Sequence, residues 1–154
     1  MRFYLNFTFI GLWLIFSTAN GQSFNFSHLD IDDGLSNNRV KCILKDSRGF
    51  MWFGANVGLN RYDGKNFKTF YSDPKDTSSI NNHDIVGLFE DPKGRIWVKT
   101  MAGLNIYDPE TENFQTNPPA FYKQYHLPAA NLSSITKDRQ DNYWFIHSTG
   151  IVWH

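Results

Sequence analysis

Asp46-Ser47-Arg48-Gly49-Phe50-Met51-Trp52-Phe53-Gly54, followed by Gly58-Leu59-Asn60-Arg61-Tyr62-Asp63-Gly64, reads as strand, tight turn, strand, turn, strand, turn. The same frame returns at Asp91-Pro92-Lys93-Gly94-Arg95-Ile96-Trp97-Val98 with Gly103-Leu104-Asn105-Ile106-Tyr107-Asp108. It begins a third time at Asp138, with Trp144, Phe145, Gly150 and Ile151 in the matching places. Trp52 and Trp97 lie 45 residues apart, and Trp97 and Trp144 lie 47 apart. In every copy the Asp precedes the Trp by six residues and the Trp precedes a Gly by six. Anchors held at fixed offsets through successive copies are the signature of a repeat architecture.

A repeat of roughly 40–50 residues made of short strands points to the blades of a propeller. The first copy divides into four strands, about Val40–Lys45, Phe50–Gly54, Leu59–Tyr62 and Phe67–Phe70. Asp46 suits a turn that it caps with its own side chain, and Gly49 supplies the positive φ. Asp63-Gly64 is a two-residue hairpin signal. Strands this short cannot bury both faces of one sheet, so each sheet must stack on its neighbours. The structural anchors are Asp46, Gly49, Trp52, Gly58 and Tyr62 in the first copy, Asp91, Gly94, Trp97, Gly103 and Tyr107 in the second, and Asp138, Trp144 and Gly150 in the third. The expected core is Trp52, Phe53, Tyr62, Trp97, Tyr107, Trp144 and Phe145. In the third copy Asp141-Asn142 replaces the turn glycine, which both residues permit. His154 falls in the place of Tyr62 and Tyr107.

Gly34-Leu35-Ser36-Asn37-Asn38, Val40 and Ile43, taken with the two stretches quoted first, closely resemble the two-component regulator propeller repeat. The resemblance runs from about residue 24 to the end; it is very close in the first copy, good in the second and degenerate in the third. It implies the periplasmic sensor region of hybrid two-component histidine kinases from Bacteroidetes. That family joins two seven-bladed propellers and an immunoglobulin-like domain to a membrane span and a cytoplasmic kinase. The chain is therefore expected to be all-β, an amino-terminal fragment holding about two and a half blades of an incomplete seven-bladed propeller. Each full blade has four antiparallel strands. The expected division is a signal peptide at 1–21, then a partial propeller at 22–154. Within the propeller come a lead-in segment at 22–34, blade one at 35–71, blade two at 79–117 and an incomplete blade three at 131–154. Such a piece leaves an apolar face and a strand edge uncovered, so on its own it is expected to aggregate.

The leader begins with Arg2, continues through a mostly apolar run at Phe3–Phe16 and ends on Ala19-Asn20-Gly21, with small residues at the −3 and −1 positions of a cleavage site. Cleavage is expected before Gln22. The apolar run is short for a membrane span. The mature chain is expected in the periplasm, and the resembled family is anchored in the inner membrane. Formal net charge is zero and no basic patch stands out, which argues against a nucleic-acid partner. The one cysteine, Cys42, permits no internal disulfide. It aligns with Gly87 and Ser134, so it marks a crowded position.

No G-x-S-x-G, H-E-x-x-H, C-x-x-C or phosphate loop occurs. His28, His83, His126, His147 and His154 form no pair at metal spacing. Asp30, Asp32 and Asp33 precede Gly34 without the ligands of a calcium loop, and a solvated turn is the expectation. No catalytic residue, metal site or cofactor is expected, and the kinase histidine and ATP site of the resembled family have no counterpart in these residues. Ligand contacts are sought at Lys99, which stands where blade one has Gly54, and at Tyr122 and Tyr125 in the aromatic-rich insertion 117–131. Each has a plainer reading: a solvated lysine, and rings folded over the blade edge. Expected partners are the remaining propeller blades, an oligosaccharide ligand and a second copy in a homodimer. The expected function is periplasmic ligand sensing for a hybrid histidine kinase, responsive to glycans and acting on transcription. The alternative is a fragment of a secreted propeller enzyme, a lyase or glycosidase, or a non-catalytic binding propeller. Fold alone does not decide between these.

Overall fold

A computed structural model of the chain describes residues 26–116, 122, 123, 126, 132–140, 142–147, 150, 152 and 153. The leader, Tyr125, Asp141 and His154 lie outside the described residues. The architecture is all-β. β1 (Val40–Lys45), β2 (Met51–Ala55), β3 (Leu59–Tyr62) and β4 (Phe67–Phe70) form an antiparallel meander in the order β1-β2-β3-β4. β5 (Ile85–Glu90), β6 (Ile96–Thr100), β7 (Gly103–Asp108) and β8 (Asn113–Thr116) form a second meander of the same kind. β9 (Leu132–Lys137), β10 (Tyr143–His147) and β11 (Val152–Trp153) form a three-stranded sheet in the order β11-β10-β9.

The copies agree down to their irregularities. β1 slips register against β2 between Val40 and Cys42, and β5 slips against β6 between Ile85 and Gly87. β5 lies against β1 and β2, and β9 lies against β5, so the first strands gather side by side and the sheets stack face to face from there. The first seam buries Trp52, Leu59, Ile80, Ile85 and Tyr107 completely. Trp52 meets Tyr107 edge-on at 5.0 Å and stacks on Phe70 at 5.9 Å. The second seam buries Trp97, Leu104, Ile106, Ile135 and Phe145, with Trp97 and Phe145 centred 5.8 Å apart.

Two expectations need correction. β2 starts at Met51 rather than Phe50 and runs on to Ala55. The cause is the turn: Phe50 N donates to Asp46 Oδ1 at 2.9 Å, and Asp46 N donates back to the Phe50 carbonyl at 3.0 Å, so Phe50 closes the turn. Phe53, Tyr62 and Trp144 are half-buried rather than core. Strand alternation puts Phe53 opposite Trp52, on the face of blade one turned away from blade two. There Phe53, Tyr62 and Phe67 make their own cluster, with ring centres 4.7–5.8 Å apart. Trp144 alternates with Phe145 in the same way, so it too faces away from blade two.

The acids before Gly34 cap a 3-10 turn, Ile31–Asp33, and turn on one another. Asp30 Oδ1 accepts from Asp32 N at 2.8 Å, and Asp33 Oδ2 accepts from Asp30 N at 3.0 Å. Among the described residues no group of three or more His, Cys, Asp and Glu could hold a metal ion, and no helix is long and apolar enough to cross a membrane.

Cys42 occupies the crowded place that its alignment implies. A Cβ added to Gly54 would fall 2.4 Å from its Sγ. Burial pushes the thiol up to about 11. Because the thiolate is the reactive form, native Cys42 is expected to resist iodoacetamide at pH 8 and to react at the rate of a free thiol after unfolding. Equal labelling in the two states would contradict its placement.

Candidate functional site

The six-residue offset between Asp and Trp is a hydrogen bond across the first hairpin of each blade. Trp52 Nε1 donates to Asp46 Oδ2 at 2.8 Å, Trp97 Nε1 to Asp91 Oδ2 at 3.1 Å, and Trp144 Nε1 to Asp138 Oδ2 at 3.1 Å. The other carboxylate oxygen gathers turn amides. Asp46 Oδ1 takes Arg48 N at 3.0 Å and Phe50 N at 2.9 Å; Asp91 Oδ1 takes Lys93 N at 2.9 Å and Arg95 N at 3.0 Å. Asp46 and Asp91 are buried at 4% and 1% exposure, which a carboxylate tolerates only when its acceptors are filled. Gly49 (φ 95°) and Gly94 (φ 72°) take the left-handed position of these turns.

Asp138 keeps the strut without the glycine. Its carboxyl is lowered from 3.8 to about 2, first by the Asn142 side-chain amide and then by the Trp144 indole. A depressed carboxyl stabilises the fold above its unfolded value and loses that contribution as pH falls through its folded one. The third hairpin is thus expected to hold at pH 4 and to weaken between about pH 4 and pH 2. The indole N–H resonance of Trp144 reports it; a midpoint near 4 would contradict the strut.

A second buried hub lies in the third strand of each full blade. Asn60 Oδ1 accepts from Ser36 N at 2.9 Å, and its Nδ2 donates to Ser36 Oγ at 2.8 Å and the Phe53 carbonyl at 3.2 Å. Asn105 does the same with Asn81 N at 3.0 Å, Asn81 Oδ1 at 2.8 Å and the Val98 carbonyl at 3.4 Å. Both asparagines are fully buried. They tie the segment that leads into a blade to the middle of that blade.

Polar contacts also cross the first seam. Ser47 N donates to Glu90 Oε1 at 2.9 Å, and Lys41 pairs with Asp84. Arg61 donates to Tyr107 Oη at 2.9 Å, pairs with Glu112 at 3.0 Å and stands over the Phe50 ring at 4.8 Å. Lys68 pairs with the same Glu112, and that hydrogen bond is the main cause holding the Glu112 carboxyl below its usual range. A cleft of about 400 Å³ opens where the three blades meet, lined by Leu44, Ser47, Glu90, Ile135 and Tyr143 among others.

Of the sites sought in the sequence, Lys99 lies at the end of β6 away from the Asp91 turn. Lys99 pairs across strands with Gly87, as Gly54 pairs with Cys42. Lys99 is half-buried and has no hydrogen-bond or ion-pair partner among the described residues. Tyr122 is half-buried and packs on the Trp97–Phe145 cluster, and burial pushes its hydroxyl up. Sequence reading gave no role to Asn60, Asn105, Arg61 or Glu112. The recurrence of Asn two places after Gly58 and Gly103 was the available signal for the hubs.

Stacked four-stranded meanders with a shared strut define a protein of propeller repeats. The family described as two component regulator propeller matches at residues 34–56 and 79–102. A protein named histidine kinase P4 from Formosa agariphila is 41% identical over 74 residues, covering 48% of this chain and 5% of that protein. The extracellular domain of a hybrid two-component system from B. thetaiotaomicron superposes with a TM-score of 0.60 at 32% identity, over 83% of this chain and 20% of that one. A second extracellular domain, of a one-component system from the same organism, gives 0.55 at 22% identity over 84% and 18%, a likeness of fold. The chain therefore spans a fifth or less of the length of these relatives. Two of its segments are similar to the two component regulator propeller repeat.

Proposed function

We propose that the chain forms part of an exported sensor propeller that binds a glycan breakdown product and passes the change to a hybrid histidine kinase. The observation that carries this reading is the 41% identity to a histidine kinase, joined to the likeness to the extracellular domain of a hybrid two-component system. Its own residues supply recognition surfaces rather than reaction chemistry. Further repeats cover the face that carries Trp144, because the matching residues Trp52 and Trp97 are each fully buried beneath the next sheet.

Two experiments test the reading. Amino-terminal sequencing of the protein from its host is expected to begin at Gln22, in the periplasmic fraction; an intact Met1 in the cytoplasm would overturn export. Deletion of the coding sequence is expected to abolish transcriptional induction by one polysaccharide in a growth panel. Unchanged induction by every polysaccharide would overturn sensing.

A further inference from the structure

Among the described residues, each ion pair across the first seam takes its cation from blade one and its anion from blade two. Lys41 meets Asp84, while Arg61 and Lys68 share Glu112. The Glu90 carboxylate, also from blade two, takes the Ser47 amide. The strand registers of the two blades match residue for residue. Trp52 pairs with Leu44 and Arg61 as Trp97 pairs with Phe89 and Ile106, and Tyr62 pairs with Phe67 as Tyr107 pairs with Phe114. In that register the acids Asp84, Glu90 and Glu112 of blade two are matched in blade one by Arg39, Lys45 and Lys65. All three signs are reversed. Arg39, Lys45 and Lys65 are exposed, and none is in an ion pair among the described residues. The apolar residues between them keep their kind. Leu88, Val98 and Tyr107, which blade two turns to the first seam, are matched by Ile43, Phe53 and Tyr62. Leu88 is 7% exposed and Ile43 is 58% exposed. Blade one thus presents a second seam surface with no described sheet packed on it, rimmed by cations where blade two has anions. Exposed ion pairs add little stability, but like charges brought together on a packed seam are penalised, so such a rim selects its neighbour.

We propose that this face of blade one is an interface selective for an acidic sheet of the same kind, the last sheet of its own propeller, which carries Asp or Glu at the places of Lys41, Ser47 and Lys68. A second copy of blade one would bring Lys41 and Lys68 against Arg39 and Lys65, like charge on like. Blade two has Val86, Pro92 and Gln115 in those places and offers no carboxylate there. The rim therefore admits the closing sheet and turns away the full blades of another chain. A head-to-tail contact that fails to close strings molecules into fibres, and the reversed charges favour closure within one chain. The interface rests on the further repeats proposed above and needs no ligand.

Carbodiimide cross-linking of the full natural protein tests it, since the reagent joins a lysine amine to a carboxylate in contact with it. Lys41 with Asp84 and Lys68 with Glu112 should couple and serve as internal standards. The expected result is that Lys45 and Lys65 couple to Asp or Glu of the last repeat, and that in a mixture of isotope-labelled and unlabelled protein these links stay within one chain. The triple variant Arg39→Glu, Lys45→Glu, Lys65→Glu should melt several degrees below wild type in about 0.01 M salt. The gap should narrow in about 1 M salt, where the screening length is roughly a tenth as long. Standards that couple while Lys45 and Lys65 stay unlinked would overturn the interface, as would links between two chains or a gap that ignores salt. Standards that fail to couple would remove the first-seam pairs from which the interface is drawn and overturn it too. None of these results touches the sensing reading, which is judged by polysaccharide-dependent induction.

Discussion

Trp97→Ala is expected to lower stability by about 3–5 kcal/mol, the range for emptying a buried aromatic site. Trp97 has no exposed surface, and its ring packs on Phe145 across the second seam. Its removal also takes a donor from Asp91, whose Oδ2 then relies on Arg95 Nε at 2.8 Å. In the 154-residue chain taken without further repeats, Trp144→Ala removes the same side chain from a half-buried place and should cost clearly less. Urea midpoints of the two variants decide the matter. Equal losses, or a loss below about 1 kcal/mol for Trp97→Ala, would mean that the seams do not carry the fold.

Gly54→Lys, which moves the residue of blade two into blade one, is expected to disrupt the first seam. Adding atoms to a filled interior costs about 1–3 kcal/mol, and occasionally more. Here the first added carbon already meets Cys42 Sγ at 2.4 Å and Ile85 Cγ2 at 2.6 Å. These are stiff neighbours rather than the ends of flexible chains. Gly54→Ala should be destabilising for the same reason, and Cys42→Gly in that background should restore part of the loss by removing one of the two obstacles. Thermal melts of the single and double variants measure it. A Gly54→Lys protein that melts with wild type would show that the two seams are equally open.

The sequence-to-structure correspondence is closest where spacing carries the information. β1, β3 and β4 run where the alternation of apolar residues and the Asp-Gly turn place them. β2 is displaced by one residue because the Asp46 side chain competes with the ladder for the Phe50 amide. Burial was harder to read, since it depends on which sheet covers which face. Phe53 is as aromatic as Trp52, yet one strand step turns it to the less covered side. The Asp–Trp offset was visible as a number, but its meaning needed the hairpin that brings an indole back to a carboxylate six residues earlier. Asn60 and Asn105 look like turn-edge polar residues in sequence and become hubs only when the preceding segment folds against them. At the rim, Lys99 stood out by breaking the repeat. Its partial burial is a property of the stacked sheets, which no single copy contains.

The Asp–indole strut begins and ends within one copy of the motif. Each full copy therefore brings its own partners for its buried carboxylate. A duplicated segment of this kind can be spliced in without stranding its buried Asp carboxylate, so gene duplication can lengthen the array one unit at a time.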